Sequence, residues 1–186
     1  MKDEFLDFYK SHVVRDGSVQ FLEWLENTDF FTAPASTRYH SAYEGGLLDH
    51  SIKVYNRLVS LCFEENLGFS AETITICGLL HDVCKTNFYT IEMRNRKNAA
   101  GQWEQYPFYS VDDQLPYGHG EKSVYIISGF MKLSREEAMA IRWHMGGFDD
   151  SVKGGSWSMG TAWSQFPLAV LLHIADLQAT YLDEEQ

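Results

Sequence analysis

The stretch Ile74-Thr75-Ile76-Cys77-Gly78-Leu79-Leu80-His81-Asp82-Val83-Cys84-Lys85 decides how this chain is read. Ser70 stands ahead of it as an N-cap, and Ile74, Cys77, Gly78, Leu80 and His81 fall at helical spacing, so the run predicts a helix that delivers His81 and Asp82 at its C-terminal end. Two metal-ligand types then sit side by side where the helix would otherwise continue its buried face. An ionised carboxylate there needs a cation or several donors, so the pair points to a metal ion.

Working outward, four further ligand types lie at wide intervals. They are His50 in Gly45-Gly46-Leu47-Leu48-Asp49-His50, His119 in Gly118-His119-Gly120-Glu121, His144 in Ile141-Arg142-Trp143-His144-Met145, and Asp176 in Leu172-His173-Ile174-Ala175-Asp176. Asp176 shares a helix stripe with Leu172, Ala169 and Ala179, which directs its carboxylate toward an apolar interior. Taken singly, each histidine fits a satisfied core or packing residue, and Asp176 fits a cap or an ion pair.

The order H, HD, H, H, D, with Gly-Gly-Leu-Leu-Asp-His opening one helix and Gly-Leu-Leu-His-Asp-Val-Cys-Lys closing another, resembles the HD superfamily of metal-dependent phosphohydrolases. The resemblance runs from about Tyr39 to Tyr181. The local wording is most similar to the HD domain of bacterial 3′-to-5′ exoribonucleases that also carry an OB module, for which this chain has no room. Two departures stand out: Cys84 occupies a position where glycine is common, and the loop after Phe148 has no counterpart.

The resemblance implies an all-α, HD-like helical bundle and a metal site of His50, His81, Asp82 and Asp176. His119 and His144 would complete a second position, with Asp82 bridging two ions about 3.5–4 Å apart. Otherwise His119 is a loop histidine at a helix start and His144 packs beside Trp143. Mixed imidazole and carboxylate ligation suits Mn, Fe, Co, Ni, Zn or Mg better than thiolate-seeking ions. Lys85, three positions after Asp82, is expected to meet a substrate phosphate; its plain role is a cation at a helix C-terminus. His40 matches a histidine that precedes Gly-Gly-Leu-Leu in the resembling domains, where it contacts substrate or protonates a leaving group, or is structural. Asp82, Lys85 and His40 are therefore the catalytic candidates. His173 reads as a support to a ligand, His12 as a packing or surface residue, and Arg142 as an exposed helix arginine, or else a contact to phosphate.

Composition sets the outer bounds. At 186 residues, with 45% hydrophobic and 15% aromatic residues, the chain is expected to form one unit, 1–186, with a substantial core. The start, Met1-Lys2-Asp3-Glu4, lacks the basic-then-apolar layout of a secretory signal, and no apolar run approaches bilayer length. A cytoplasmic protein without a membrane partner is expected. Cys62, Cys77 and Cys84 make an odd count with no CxxC pair, which predicts reduced thiols; Cys84, next to Lys85, borders the expected site. The net charge of −11 argues against long nucleic acid as a partner, because phosphate neutralisation supplies most non-specific affinity. A small anionic substrate stays compatible, since bound divalent ions dominate the local charge.

Along the chain, helices are expected over 3–13 and 18–26, making 1–36 an N-terminal packing unit with a connector at 27–36. A long helix follows Gly46, and the capping box Ser134-Arg135-Glu136-Glu137 opens another. Aromatic-rich runs flanking Asn98-Ala99-Ala100-Gly101 predict a β-hairpin inserted over 88–112. Its Arg94, Arg96 and Lys97 with Trp103, Tyr106, Phe108 and Tyr109 would either stack a base and neutralise phosphate or form a half-buried aromatic face with a basic tip. Residues 148–160, rich in Gly and Ser, read as a mobile loop, and a last helix begins around 164–167 and fades in an acidic tail.

The expected activity is hydrolysis of a phosphoester or phosphoanhydride in a nucleotide or small phosphorylated compound. Rival readings are a 3′-to-5′ exonuclease on short single strands, a di-iron oxygenase of HD type, and a non-catalytic nucleotide sensor. The sequence leaves the oligomeric state open.

Overall fold

The structure, a computed structural model, describes residues 1–39 and 41–184. Among them, nine α-helices and one two-stranded sheet follow in the order α1 (Lys2–His12), α2 (Ser18–Glu26), α3 (Gly46–Glu64), α4 (Ala71–Leu80), β1 (Tyr89–Lys97), β2 (Trp103–Val111), α5 (His119–Ser128), α6 (Arg135–Trp143), α7 (Asp150–Lys153), α8 (Ser158–Gln165) and α9 (Pro167–Gln178). This is the expected helical HD-like bundle with an inserted hairpin.

The centre is α4. Six of its residues, Thr75 to Leu80, are buried, so it is apolar on every side and is wrapped by α1, α3 and α6. Ser70 Oγ accepts the Thr73 amide at 3.1 Å and starts it as expected. α3 lays Leu47, Leu48, Ile52, Val54, Tyr55, Leu58 and Cys62 against α4 and α9. One core runs from Phe5 and Tyr9 through Phe21, Phe30, Leu58, Ile76 and Leu80 to Leu172 and Ala179, so the N-terminal helices share it.

Two glycines set the helix crossings that build the site. A Cβ on Gly78 would lie 2.7 Å from Tyr55 Cα, so α4 meets α3 backbone to backbone one turn before His81. A Cβ on Gly120 would lie 2.3 Å from Arg142 O, which seats the start of α5 against the end of α6. Each close approach brings two of the candidate histidines together, His50 with His81 and His119 with His144.

The Ser134 capping box forms in full: Ser134 Oγ accepts the Glu137 amide at 3.1 Å and Glu137 Oε2 accepts the Ser134 amide at 2.8 Å. The same buried Glu137 accepts both Arg15 guanidinium nitrogens at 2.8 Å, and Glu72 accepts Arg15 Nη2 at 3.1 Å. Arg15 thereby clamps the turn after α1 to α4 and α6.

The hairpin is antiparallel, with Tyr89 opposite Val111 and Lys97 opposite Trp103, and its register agrees with the expected insertion. The half-buried aromatic face is present on β2, where Tyr106, Phe108 and Tyr109 are partly covered, whereas β1 is exposed along nearly its whole length. Arg94 covers the Phe108 ring at 3.6 Å and Arg96 the Tyr106 ring at 4.8 Å, so the hairpin's own cations shield its aromatics.

The segment 148–160 also differs from the expected loop, because α7 and the start of α8 lie within it. Asp149 accounts for this: its carboxylate accepts the Ser151 amide at 2.9 Å to cap α7 and holds Arg142 Nη1 at 2.7 Å. Among the described residues, no helix is long and apolar enough to cross a membrane.

Candidate metal centre

Five elements converge at one end of the bundle. α3 contributes His50 from its second turn, the end of α4 contributes His81 and Asp82, α5 begins with His119, His144 follows α6 directly, and α9 presents Asp176. All six residues expected as ligands therefore meet. His50, His81, Asp82 and His144 are almost fully buried, whereas Asp176 and His119 are partly open.

Asp82 is the hub, and its two oxygens face different histidines. Oδ2 lies 3.5 Å from His50 Nε2 and 3.6 Å from His81 Nε2; Oδ1 lies 2.8 Å from His119 Nε2 and 3.4 Å from His144 Nε2. On the first side, His50 Nε2 also stands 3.3 Å from His81 Nε2 and 3.3 Å from Asp176 Oδ1. Lys85 Nζ donates to Asp82 Oδ2 at 2.6 Å.

The far nitrogens are fixed by the surrounding fold. His81 Nδ1–H donates to Gly78 O at 3.0 Å and His144 Nδ1–H to Ile141 O at 2.7 Å, so in the neutral rings both Nε2 lone pairs face inward. His50 Nδ1–H donates to Glu184 Oε1 at 2.7 Å, and Ser41 Oγ donates to Glu184 Oε2 at 2.6 Å. Glu184 returns to the site because α9 continues into a wide π-turn, Ala179–Asp183, that redirects the chain over α3. His173, one turn before Asp176, donates to His144 O at 2.6 Å and stacks near Trp163.

Burial and charge pull these groups in opposite directions. Burial opposes protonation of His50, but hydrogen bonds to Asp176 and Glu184 prevail and raise its pKa to about 9. Burial, helped by the neighbouring His144 and His50, prevails at His81, which falls to about 3 and stays neutral despite Asp82. His119 resists burial through the Cys84 sulfur and Asp82, rising to about 10. Burial would raise Asp82, yet Lys85, His81 and His119 hold it well below the usual carboxylate range.

The donor set fits a cation on an observation independent of motif. Among the described residues, His144 Nε2 is a buried polar atom with no hydrogen-bond partner, aimed at Asp82 Oδ1. Two groups of donors lie close enough to hold an ion together with their neighbours: His50, His81 and Asp176 on one side, and His81, Asp82 and His144 across the middle. A third comprises Asp82, Cys84 and His119. Imidazole and carboxylate donors of this kind match borderline and hard divalent ions.

The HD domain family model matches residues 47–179. The chain belongs to the HD domain family. No curated protein and no solved structure matches it. HD domains bind divalent metals, and membership places the chain in a superfamily of metal-dependent phosphohydrolase type, generally hydrolases.

A cavity of about 280 Å³ opens beside the HD cluster, lined by Cys84, Lys85, Phe88, Asp113, Pro116, Gly118, His119, Lys122 and Asp150. His119 is the ligand candidate that joins cluster to cavity. Lys122, buried on α5, pairs with Asp113 and lies 4.8 Å over the Phe88 ring.

Other expectations resolve individually. Lys85 is at the site, held by Asp82. Arg142 is corrected from an exposed helix arginine: it is largely buried, paired with Glu121 and Asp149, and stacked on Trp143 at 3.8 Å. His12 contacts Thr75 away from the site, and His40 lies outside the described residues. Sequence reasoning missed Glu184 and Ser41, which bear on His50, and Lys122, whose position four residues before Ile126 gave no sign of burial.

Proposed function

We propose that this HD protein, acting as one unit over its whole length, hydrolyses a phosphoester or phosphoanhydride of a nucleotide or small phosphorylated compound. The observation that carries the reading is Asp82, whose two carboxylate oxygens face two separate groups of donors beside a small cavity containing two lysines. His50, His81, Asp82 and Asp176 would hold one divalent ion, and Asp82, His119 and His144 a second. Such ions supply Lewis acidity toward a phosphoryl oxygen and acidify water near neutral pH.

The chain's own residues supply the rest. Lys85 can exchange its carboxylate partner for a substrate phosphate, because Asp82 no longer needs an ammonium once other cations neutralise it. Lys122 lies across the same cavity and offers a second contact to anionic oxygen, with Phe88 as an apolar wall. The cavity, with an adjoining one of about 320 Å³ that shares Gly118, His119 and Asp150, has room for a mononucleotide-sized substrate. The exonuclease alternative draws less support, since the hairpin rings are covered by their own arginines. His40 is retained as a proposed contact to substrate.

The test is a turnover screen over nucleoside mono-, di- and triphosphates and generic phosphodiesters, with Mn, Fe, Co, Ni, Zn and Mg supplied in turn. Metal-dependent release of phosphate or alcohol, abolished in Asp82→Ala, is expected. Turnover that survives in Asp82→Ala would remove the proposed centre, and product formation requiring oxygen would replace hydrolysis with oxidation.

A further inference from the structure

Cys84 is the donor in this centre that an imidazole and carboxylate set does not explain. It is buried, follows Asp82 by two residues in the short 3-10 turn Val83–Lys85, and its amide donates to Ser123 Oγ at 3.1 Å. That bond fixes its backbone against α5, the helix that begins with His119. Its sulfur stands 3.5 Å from His119 Nδ1 and 3.8 Å from His119 Nε2, while the same Nε2 lies 2.8 Å from Asp82 Oδ1. Cys62 and Cys77 are also free and buried, but they belong to the apolar core.

The second observation is on the other side of Asp82 Oδ1. The partnerless Nε2 of His144 points at this oxygen from 3.4 Å, and the His144 and His119 rings are 5.1 Å apart. Sulfur, carboxylate oxygen and the His119 imidazole thus form one group of donors close enough to hold an ion, and His144 approaches the same carboxylate oxygen from its other side.

We propose that Cys84 is a ligand of the second metal position, giving it an Asp82, His119, His144 and Cys84 donor set, an inference that rests on the two-position reading above. Binding displaces the thiol proton to solvent and leaves one thiolate on the ion. The two positions then differ in kind. The His50, His81, Asp82 and Asp176 position is all nitrogen and oxygen, whereas the Cys84 position is softer and selects zinc, iron or cobalt over magnesium or manganese. A thiolate donates more electron density to its ion than the Asp176 carboxylate does, so the harder position is the stronger Lewis acid of the two.

Cobalt titration of reduced, metal-stripped protein tests this. Wild type is expected to develop a near-ultraviolet thiolate-to-cobalt charge-transfer absorption as the second position fills. Cys62→Ser should keep that absorption, and Cys84→Ser should lose it while weakening the second binding step at least tenfold. Zinc X-ray absorption on the wild-type protein gives a reading free of any folding defect in the variant, with a sulfur shell near 2.3 Å expected. Cobalt bound without the charge-transfer absorption, its persistence in Cys84→Ser, or a purely nitrogen and oxygen shell around zinc would overturn the Cys84 assignment and leave the metal centre standing. Failure of the wild type to bind either ion would overturn the centre, and this assignment with it.

Discussion

Replacing Glu184 by glutamine should weaken metal binding about tenfold, and replacing it by alanine should weaken it by up to about a hundredfold. Glu184 touches no expected metal position. It accepts His50 Nδ1–H at 2.7 Å, which leaves the opposite nitrogen, 3.3 Å from Asp176 Oδ1, turned toward the centre. The carboxylate makes His50 a stronger electron donor and holds the ring in that orientation. Glutamine can still accept the proton through its amide oxygen but loses the charge, and a charge-assisted bond is about twice as strong as a neutral one. The loss should therefore sit near the lower limit for such partners, about 1.4 kcal/mol, against about 2.7 kcal/mol when alanine removes the acceptor altogether. Competition with a chromophoric chelator at fixed pH gives the dissociation constants directly, and circular dichroism checks the fold. Unchanged affinity in both variants would refute the role given to Glu184.

Arg15→Ala should destabilise the protein by about 3 kcal/mol, because it leaves the buried Glu137 carboxylate without its counter-charge, with only the Ser134 amide and the Thr73 hydroxyl donating to it; thermal denaturation should show a fall of about 6–12 °C. Burial would raise Glu137, but its hydrogen bond from Arg15 lowers it below the ordinary 4.5, so this contribution is present above pH 4.5 and is lost as the pH falls through the lowered value. The gap between variant and wild type should accordingly narrow in acid, and a gap that widens would contradict the assignment. Lys85→Ala should keep its metal, since Asp82 loses only a competing cation, while phosphate ester turnover falls at least tenfold; loss of metal in step with activity would make Lys85 structural. Metal binding at pH 7 should expel about two protons from the imidazoles, His50 at about 9 and His119 at about 10, besides the one that Cys84 ligation releases, measurable by calorimetry in buffers of different ionisation enthalpy. Affinity should rise with pH, and binding with no proton release would show that both rings are already neutral.

The ligand set was legible because each member carries its own local signal. His81-Asp82 closes an apolar helix, His50 follows a Gly-Gly helix start, and Asp176 lies on a stripe that includes Leu172 and Ala179. The capping box at Ser134 and the hairpin likewise depend on short-range chemistry that sequence displays. What escaped depends on tertiary return. Glu184 sits in a run of acids that reads as solvated, and only the π-turn after α9 brings it onto His50. Arg142 reads as exposed until Asp149 and Glu121 close over it. Gly78 lowers the intrinsic propensity of α4 by about 1 kcal/mol relative to alanine, and its reason appears only when Tyr55 is seen packed against it. The short helices within 148–160 were hidden by composition, since glycine and serine mask the Asp149 cap.

The most direct test of the central claim is the metal content per chain of protein purified without chelator or nickel affinity, measured for wild type and Asp82→Ala. The two-sided arrangement around Asp82 predicts about two ions in the wild type and loss of both when the shared carboxylate is removed. A wild type that holds no divalent ion under any supply, or an Asp82→Ala variant that retains the full complement, would contradict it.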